Sequence, residues 1–319
     1  MKKVAVGIDI GGTNTGFGLV TREGSVIAES TMNTQGYTEA ASFLKALADN
    51  VLSLVKSVTK PVEVVGIGLG APNGNYYNGT IEYAPNLRWK GVIKVVEILR
   101  RHFDYRIIVL TNDANAAAIG EMVYGGAKGM NDFIMITLGT GLGSGVVVNG
   151  ALVYGHDGFA GEIGHVVVDR GGRICGCGRR GCLETYVSAP GIKRTVFELM
   201  ADSRDDSMLR KLSYEEMDSK IIYEAARKGD KIALEAFDIT CEILGKTLAD
   251  SVAHTSPEAI FLFGGLANAR EFIFEKTKKY MEENMLKVFR NKVKILPSQL
   301  NGAHAAILGA SALVWKELH

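Results

Sequence analysis

His165, Cys175, Cys177 and Cys182 place four zinc-competent side chains within one short, glycine-rich segment. Three of the four cysteines in the 319-residue chain fall inside it. Gly171, Gly172, Gly176, Gly178 and Gly181 leave the backbone free to wrap four ligands tetrahedrally around one ion. The pattern reads as a closed structural zinc site. The competing reading is a glycine-rich loop with reduced thiols or a disulfide. Closely spaced exposed thiols without a metal are an oxidation liability, and an intracellular chain has little use for a disulfide.

A second chemical candidate is Asp113. Arg106 to Thr111 reads as a strand that delivers Asn112 and Asp113 to the start of the alanine-rich helical run from Ala114 to Glu121, which stops near Gly125-Gly126. A carboxylate at a strand-to-helix junction can cap the helix. It can equally act as a general base that takes a proton from a substrate hydroxyl attacking a phosphoryl group.

These groups need elements to position them, and the chain supplies one device twice. Val4 to Ile10 is a buried-strand run that enters Asp9-Ile10-Gly11-Gly12-Thr13-Asn14-Thr15-Gly16 and then a second apolar strand, Phe17 to Val20. No helix follows the glycines, which excludes the dinucleotide fingerprint, and no Gly-Lys-Ser/Thr ending is present, which excludes the P-loop. A hairpin turn lined with N–H groups and hydroxyls suits phosphate oxygens, and Asp9 beside it suits Mg²⁺; a plain hairpin with a structural aspartate is the alternative. Phe133 to Leu138, Gly139-Thr140-Gly141-Leu142-Gly143-Ser144-Gly145 and Val146 to Val148, with the turn Asn149-Gly150, repeat the pattern. Two copies imply two similar lobes gripping phosphates across a cleft.

The frame is an ordinary globular one, with 47% hydrophobic and 22% charged residues, enough to bury a large core in two lobes. A net charge of +1 offers no field for nucleic acid or an anionic membrane, so neither is expected as a partner. The apolar run after Met1-Lys2-Lys3 is short and broken by Asp9, no stretch is apolar enough to cross a bilayer, and a cytoplasmic location is expected. Cys241 lies in a helical pattern with Ile243, Leu244 and Leu248 and is expected in the core.

Taken together, Gly7-Ile8-Asp9-Ile10-Gly11-Gly12-Thr13, Asn112-Asp113-Ala114-Asn115-Ala116-Ala117, Leu138-Gly139-Thr140-Gly141, Gly161-Glu162-Ile163-Gly164-His165 and the zinc loop Cys175-x-Cys177-Gly178-x-x-Gly181-Cys182-x-Glu184 resemble the ROK family of sugar kinases and sugar-responsive repressors. The likeness runs in order along nearly the whole chain. Phe261-Leu262-Phe263-Gly264-Gly265 resembles that family's adenine-side strand and turn, and Gly302-Ala303-His304-Ala305-Ala306 its closing helix. The resemblance implies a two-lobed α/β fold, actin-like and ribonuclease-H-like, with ATP and a hexose meeting in the cleft. It divides the chain into a lobe of residues 1–118, completed by the C-terminal helix 301–319, and a lobe of residues 119–300 carrying the zinc loop 164–184.

Carried over by position, the resemblance makes Asp113 the base and a sugar ligand. Asn86, Asn112, Glu162, His165 and Glu184 then hold sugar hydroxyls. Gly11, Gly12, Thr13, Thr140 and Gly141 spread phosphoryl charge with Mg²⁺ near Asp9, and Gly264 and Gly265 lie by the adenine. His165 would bind zinc through one ring nitrogen and sugar through the other. Zinc, with four protein ligands, would hold the loop that ends in Glu184 and do no Lewis-acid chemistry. A homo-oligomer is expected.

Departures from the family pattern are Asn14, where many relatives carry lysine, and Asn73, where glycine is usual. The turn from Asn75 to Gly79 is expected as surface structure; Arg170, Arg173, Arg179 and Arg180 as a solvated basic rim; and Arg204 to Lys220 as an exposed helical excursion. His156, His254 and His304 lack metal-like spacing. The function expected is an ATP-dependent hexose kinase, a glucokinase acting on the 6-hydroxyl, with N-acylhexosamine, mannose or fructose kinases as alternatives. A sugar-sensing repressor would need a helix-turn-helix domain before a strand that already begins by Val4. A zinc-stabilised sugar-binding protein without turnover would have no use for Asp113.

Overall fold

The first apolar run becomes the middle strand of a mixed sheet. In the computed structural model, which describes residues 1–300, 302 and 304–318, β1 (Lys2–Ile10), β2 (Asn14–Thr21) and β3 (Val26–Asn33) form an antiparallel meander. Helix α1 (Ala40–Ser57) leads to β4 (Val62–Ala71), parallel to β1. A small sheet of β5 (Gly74–Asn75), β6 (Thr80–Glu82) and β7 (Val92–Ile93) and the short helix α2 (Val95–Leu99) precede β8 (Ile108–Asn112), parallel to β4. Strands run β3-β2-β1-β4-β8 across the sheet, and α3 (Asp113–Tyr124) leaves its far edge.

The second sheet has the same plan. Strands β9 (Phe133–Leu138), β10 (Leu142–Val148) and β11 (Ala151–Leu152) form the meander. After the cysteine-bearing loop come α4 (Ala189–Asp202), α5 (Ser219–Arg227) and α6 (Lys231–Thr255). Strand β12 (Ala259–Phe263) is parallel to β9, and α7 (Arg270–Asn284) returns the chain to β13 (Lys294–Pro297), parallel to β12. The order β11-β10-β9-β12-β13 reproduces the first sheet element for element. The duplication expected from the two glycine hairpins is therefore a duplication of whole sheets.

Burial explains the layers. Helix α1 presents Phe43, Leu44, Leu47 and Val51 to the outer face of the first sheet, where they join Ile8, Ile10, Leu19 and Leu69. On the outer face of the second sheet α6 presents Phe237, Leu244 and Leu248 to Ile134, Ile136 and Ile260, and Cys241 sits there as the small core residue expected. Between the sheets lie α3 and the closing helix α8 (Ala305–Glu317), apolar on nearly every side, as a helix buried all round must be. Their backbones almost touch: a Cβ at Gly120 would fall 2.8 Å from the Cα of Gly309. Of the closing run, Gly302 and His304 to Ala306 are described, whereas Asn301, Ala303 and His319 lie outside the described residues.

The segment from Arg204 to Lys220 departs from expectation. It forms one short 3₁₀ turn, Met208–Lys211, and helix begins only at Ser219. Polar side chains satisfy its backbone locally, Ser203 accepting from Asp205 N (3.0 Å) and Asp230 from Met208 N (2.8 Å), which competes with helical bonding. Leu209 and Met217 are buried in the second core, so the segment is packed down and not an excursion.

Helix α8 seats on the first sheet where β4 has no side chain: a Cβ at Gly68 would overlap the carbonyl oxygen of Ala310. Gly68→Ala is expected to lower stability by about 1–3 kcal/mol, since the backbone it meets cannot rotate away. Urea denaturation measures this, and an unchanged midpoint would show that α8 is not held against β4.

Candidate active site

The floor of the site is the start of α3. Strand β8 ends at Asn112, whose side chain accepts from Ala114 N (2.8 Å), so Asn112 is the helix cap. Asp113 is the first helical residue, and its Oδ1 also accepts from Ala114 N (2.8 Å). Asp113 is thus not the N-cap; the extended backbone of Asn112 (φ −61°, ψ 149°) takes that role. The helix start is wedged between the sheets, for a Cβ on Gly70 of β4 would lie 3.6 Å from Asp113 Cα, and one on Gly143 of β10 would lie 2.8 Å from Ala114 Cβ.

Asp9 reaches the same place from β1, its Oδ1 lying 3.9 Å from where that Gly70 Cβ would be. Burial, and after it the charge of Asp113, raises the Asp9 carboxyl to about 6. Burial also raises Asp113, against the pull of the Ala114 N–H. Asp113 is open to solvent on its cleft side, where water offsets part of that cost. Two carboxylates held near each other, both reluctant to ionise, are the electrostatic signature of this cleft.

The two hairpins flank them. In the first, Gly11 N donates to Asn14 O (3.1 Å), Thr34 N to Thr13 O (2.8 Å) and Gln35 Nε2 to Thr13 Oγ1 (3.4 Å). Asn14 closes the turn through its backbone while its side chain is exposed. A Cβ at Gly12 would fall 2.7 Å from the carbonyl oxygen of Asn86, which brings Asn86 to this hairpin. In the second, Gly139 N donates to Gly141 O (3.0 Å), Ala189 N donates to Gly139 O (2.9 Å), and Thr140 is exposed at the tip. A Cβ at Gly141 would lie 2.9 Å from Glu184 Oε2, so this hairpin and the end of the cysteine-bearing loop touch.

Glu162 lies within electrostatic reach of Asp113, His165 and Glu184, and His165 Nδ1 is 3.7 Å from Glu184 Oε1. The Glu162 carboxyl is raised, by burial first and then by the charges of Asp113 and Glu184, with His165 opposing. A residue without a sequence signal holds Glu162 in place: Ser144, on β10 directly after the second hairpin, donates to Gly161 O and accepts from Ile163 N (3.0 Å). One hydroxyl thereby joins the hairpin to the turn carrying Glu162.

The ligand atoms of His165, Cys175, Cys177 and Cys182 all lie within 4.8 Å of one another. Cys177 Sγ and Cys182 Sγ are 3.7 Å apart, as are Cys175 Sγ and His165 Nδ1; a tetrahedron of zinc–sulfur bonds of ~2.3 Å requires about 3.8 Å between sulfurs. The donor set therefore fits Zn²⁺, and Nδ1 of His165 faces it, leaving Nε2 free for another partner. Burial pushes the Cys177 thiol up, but N–H donors of Arg179 outweigh it and bring the group down to about 6. Cys175 Sγ donates to Glu184 Oε1 (2.9 Å), and the 3₁₀ turn Leu183–Thr185 follows Cys182 directly.

Arg173 is not part of a solvated rim, although Arg170, Arg179 and Arg180 are exposed. It is buried, lies over the Tyr186 ring (4.3 Å) and donates to Thr185 O (2.8 Å), Gly191 O (3.1 Å), Thr195 Oγ1 (2.9 Å) and Glu198 Oε1 (2.9 Å). Its cation pins the turn bearing Glu184 to α4 from inside the protein. Asn75 to Gly79 likewise is more than surface: Tyr76 stacks on Tyr154 (4.2 Å, 9° between rings), Tyr77 Oη donates to Gly155 O (3.0 Å) and Asn75 Nδ2 to Asp157 O (2.8 Å). Asn73 takes a left-handed conformation (φ 50°) and donates from Nδ2 to Glu82 O (2.9 Å), so the asparagine serves the turn a glycine would otherwise make. Gly264 and Gly265, at the end of β12, line a cavity of about 490 Å³ with Asn268, Arg270, Ser298 and Leu300.

Two sheets of identical plan, a glycine hairpin on each and a helix-borne carboxylate between them define an α/β fold of the actin-like ATPase class. The ROK family model matches residues 5–317, and the chain belongs to the ROK family. It is 32% identical over 313 residues to a glucokinase of Thermotoga maritima, covering 97% of this chain and 96% of that one. A ROK family glucokinase from Streptomyces griseus, solved in complex with glucose and AMPPNP, superposes with a TM-score of 0.80 at 30% identity, covering 98% of this chain and 99% of that one. A xylose repressor of Caldicellulosiruptor bescii is 28% identical over 315 residues, which are 98% of this chain and 78% of the repressor. No helix among the described residues is long and apolar enough to cross a membrane.

The raised carboxyl of Asp9 has a consequence for stability. Its folded value, about 6, exceeds the ~3.9 of an unfolded aspartate. The folded protein therefore binds the proton more tightly, and stability falls as pH rises between those values. Asp9→Asn removes the cost of the buried charge. Without divalent cations its melting temperature should exceed that of the parent at pH 8, with the gap closing towards pH 5. Differential scanning calorimetry at both values checks this, and a gap independent of pH would contradict it.

Proposed function

We propose that the protein is an ATP-dependent hexose kinase, a glucokinase that transfers the γ-phosphoryl group of ATP to the 6-hydroxyl of glucose. The observation that carries this reading is Asp113: a raised carboxylate, open on one side, at the start of α3, between two backbone hairpins suited to phosphate and among carboxylates suited to sugar hydroxyls. The likeness to glucokinases, one of them solved with glucose and AMPPNP, supports the same substrates. The cleft then lies between a lobe of residues 1–118 with the C-terminal helix and a lobe of residues 119–300.

In this reading Asp113 accepts the proton of the 6-hydroxyl as that oxygen attacks phosphorus. Asn86, Asn112, Glu162, Glu184 and His165 Nε2 orient the remaining hydroxyls, and an analogue that leaves these groups unpaired once the sugar has displaced their water is rejected. The backbone at Gly11, whose own N–H closes the turn on Asn14 O, shapes the hairpin; N–H groups of Gly12 and Gly141 and the hydroxyls of Thr13 and Thr140 stabilise phosphoryl charge, while Gly264 and Gly265 receive the adenine. Mg²⁺ supplies charge neutralisation for the phosphates, and Asp9, a raised carboxylate, fits a cation nearby. Zinc, held by His165, Cys175, Cys177 and Cys182, keeps Glu184 and His165 in place.

Sugar-dependent ADP release across glucose, mannose, fructose and the N-acetylhexosamines tests the function, and turnover should be fastest with glucose. Absence of turnover with every sugar, with zinc and Mg·ATP supplied, would end the kinase reading. Asp113→Asn should lower kcat by at least about 10²-fold while sugar still binds. Because burial raises Asp113, the acidic limb of kcat/KM should lie above the range of an ordinary aspartate, with activity rising as the base loses its proton. Retained turnover in the variant would reduce Asp113 to a structural role. Chelation of zinc, or Cys177→Ser, should lower the melting temperature and the glucose affinity together; loss of one without the other would separate the metal from the sugar site.

A further inference from the structure

Glu121 is a fully buried carboxylate (0% exposed) in the last turns of α3. Both circumstances are unfavourable, because glutamate is rarely buried without partners and the carbonyl end of a helix repels negative charge. Three neutral donors from two other segments meet it. Oε1 accepts from Gly126 N (2.7 Å) and Gln299 N (2.9 Å), and Oε2 accepts from Ser298 Oγ (2.6 Å). Gly125 leaves the room, since a Cβ there would fall 2.5 Å from the carboxylate.

What the carboxylate holds is informative. Ser298 N donates to Leu262 O (3.0 Å) and Leu300 N to Ser298 Oγ (3.2 Å), so residues 298–300 are tied to β12 on one side and to Glu121 on the other. Ser298 and Leu300 line the cavity of about 490 Å³ together with Gly264, Gly265, Asn268 and Arg270. Asp113 stands at the other end of α3, eight residues or about 12 Å along its axis.

We propose that Glu121 is a positioning residue for the nucleotide: its carboxylate fixes the wall formed by residues 298–300 and references that wall to the helix that carries Asp113. The inference rests on the kinase reading, in which this cavity receives the adenosine of ATP. A buried acceptor with three donors leaves all three unpaired when removed, so the effect falls on the cavity and not on the sugar residues at the opposite end of the helix.

Titration with ADP and with glucose, alongside KM for each substrate, tests it. Glu121→Ala should weaken ADP binding by at least about tenfold and raise the KM for ATP in step, with glucose affinity within about twofold of the parent. Glu121→Gln, whose amide oxygen still accepts two N–H groups, should recover most of the loss. Ser298→Ala, which removes a single donor outside the helix, should weaken ADP about threefold and decides the matter if Glu121→Ala does not fold. Unchanged ADP affinity in a folded variant, or equal losses of ADP and glucose, overturns the inference and leaves the kinase reading intact. A parent protein that binds glucose but no nucleotide overturns both.

Discussion

Helix α3 and helix α8 cross with their backbones in contact at Gly120 and Gly309, and the rest of the molecule is arranged around that crossing. Each helix faces a different sheet, and α3 touches both. A side chain at either glycine would separate the helices by the width of a methyl group or more, and with them the two sheets. Close approach there is what lets a helix of twelve residues present Asp113 between two hairpins that belong to different halves of the chain. The position of Asp113 is thus set by a contact between two backbones, with no side chain at the crossing.

The wall bearing Glu184 is held from two directions by unlike means. On the solvent side stands the cluster His165, Cys175, Cys177 and Cys182, with spacings suited to a tetrahedral ion. On the inner side stands Arg173, whose guanidinium spends its donors on two backbone carbonyls, a threonine and Glu198. A buried cation of this kind is costly to desolvate, and its full set of acceptors offsets that cost. Ser144 and Gly141 then join the turns carrying Glu162 and Glu184 to the second hairpin.

Charge is the second constraint. Asp9, Asp113 and Glu162 are all raised by burial, with mutual repulsion adding to it. Such a cluster is destabilising in the free protein and becomes favourable when a cation or a set of hydroxyl donors enters. Glu121 is the contrasting case, fully enclosed and supplied with three donors by the fold itself. The first group is arranged to receive something; the second is already satisfied.

Much was legible from residue order. Glycine hairpins, alternating burial and the repeated strand–turn–strand pattern are local properties, and they marked both sheets and the His165–Cys182 cluster because backbone geometry and ligand spacing act over a few residues. The strand-to-helix junction was also visible, though which of Asn112 and Asp113 would cap the helix was not, since that depends on one pair of dihedral angles. Arg173, Ser144 and the Tyr76–Tyr154 stack could not be read, because their partners lie 12, 17 and 78 residues away along the chain. Glu121 looked like one more helix-favouring residue, and only the return of β13 beside β12 brought Ser298 and Gln299 to it. Composition and spacing determined which chemistry the chain could perform; the seating of α3 against α8 decided where, because long-range packing alone brings together groups that the sequence keeps apart.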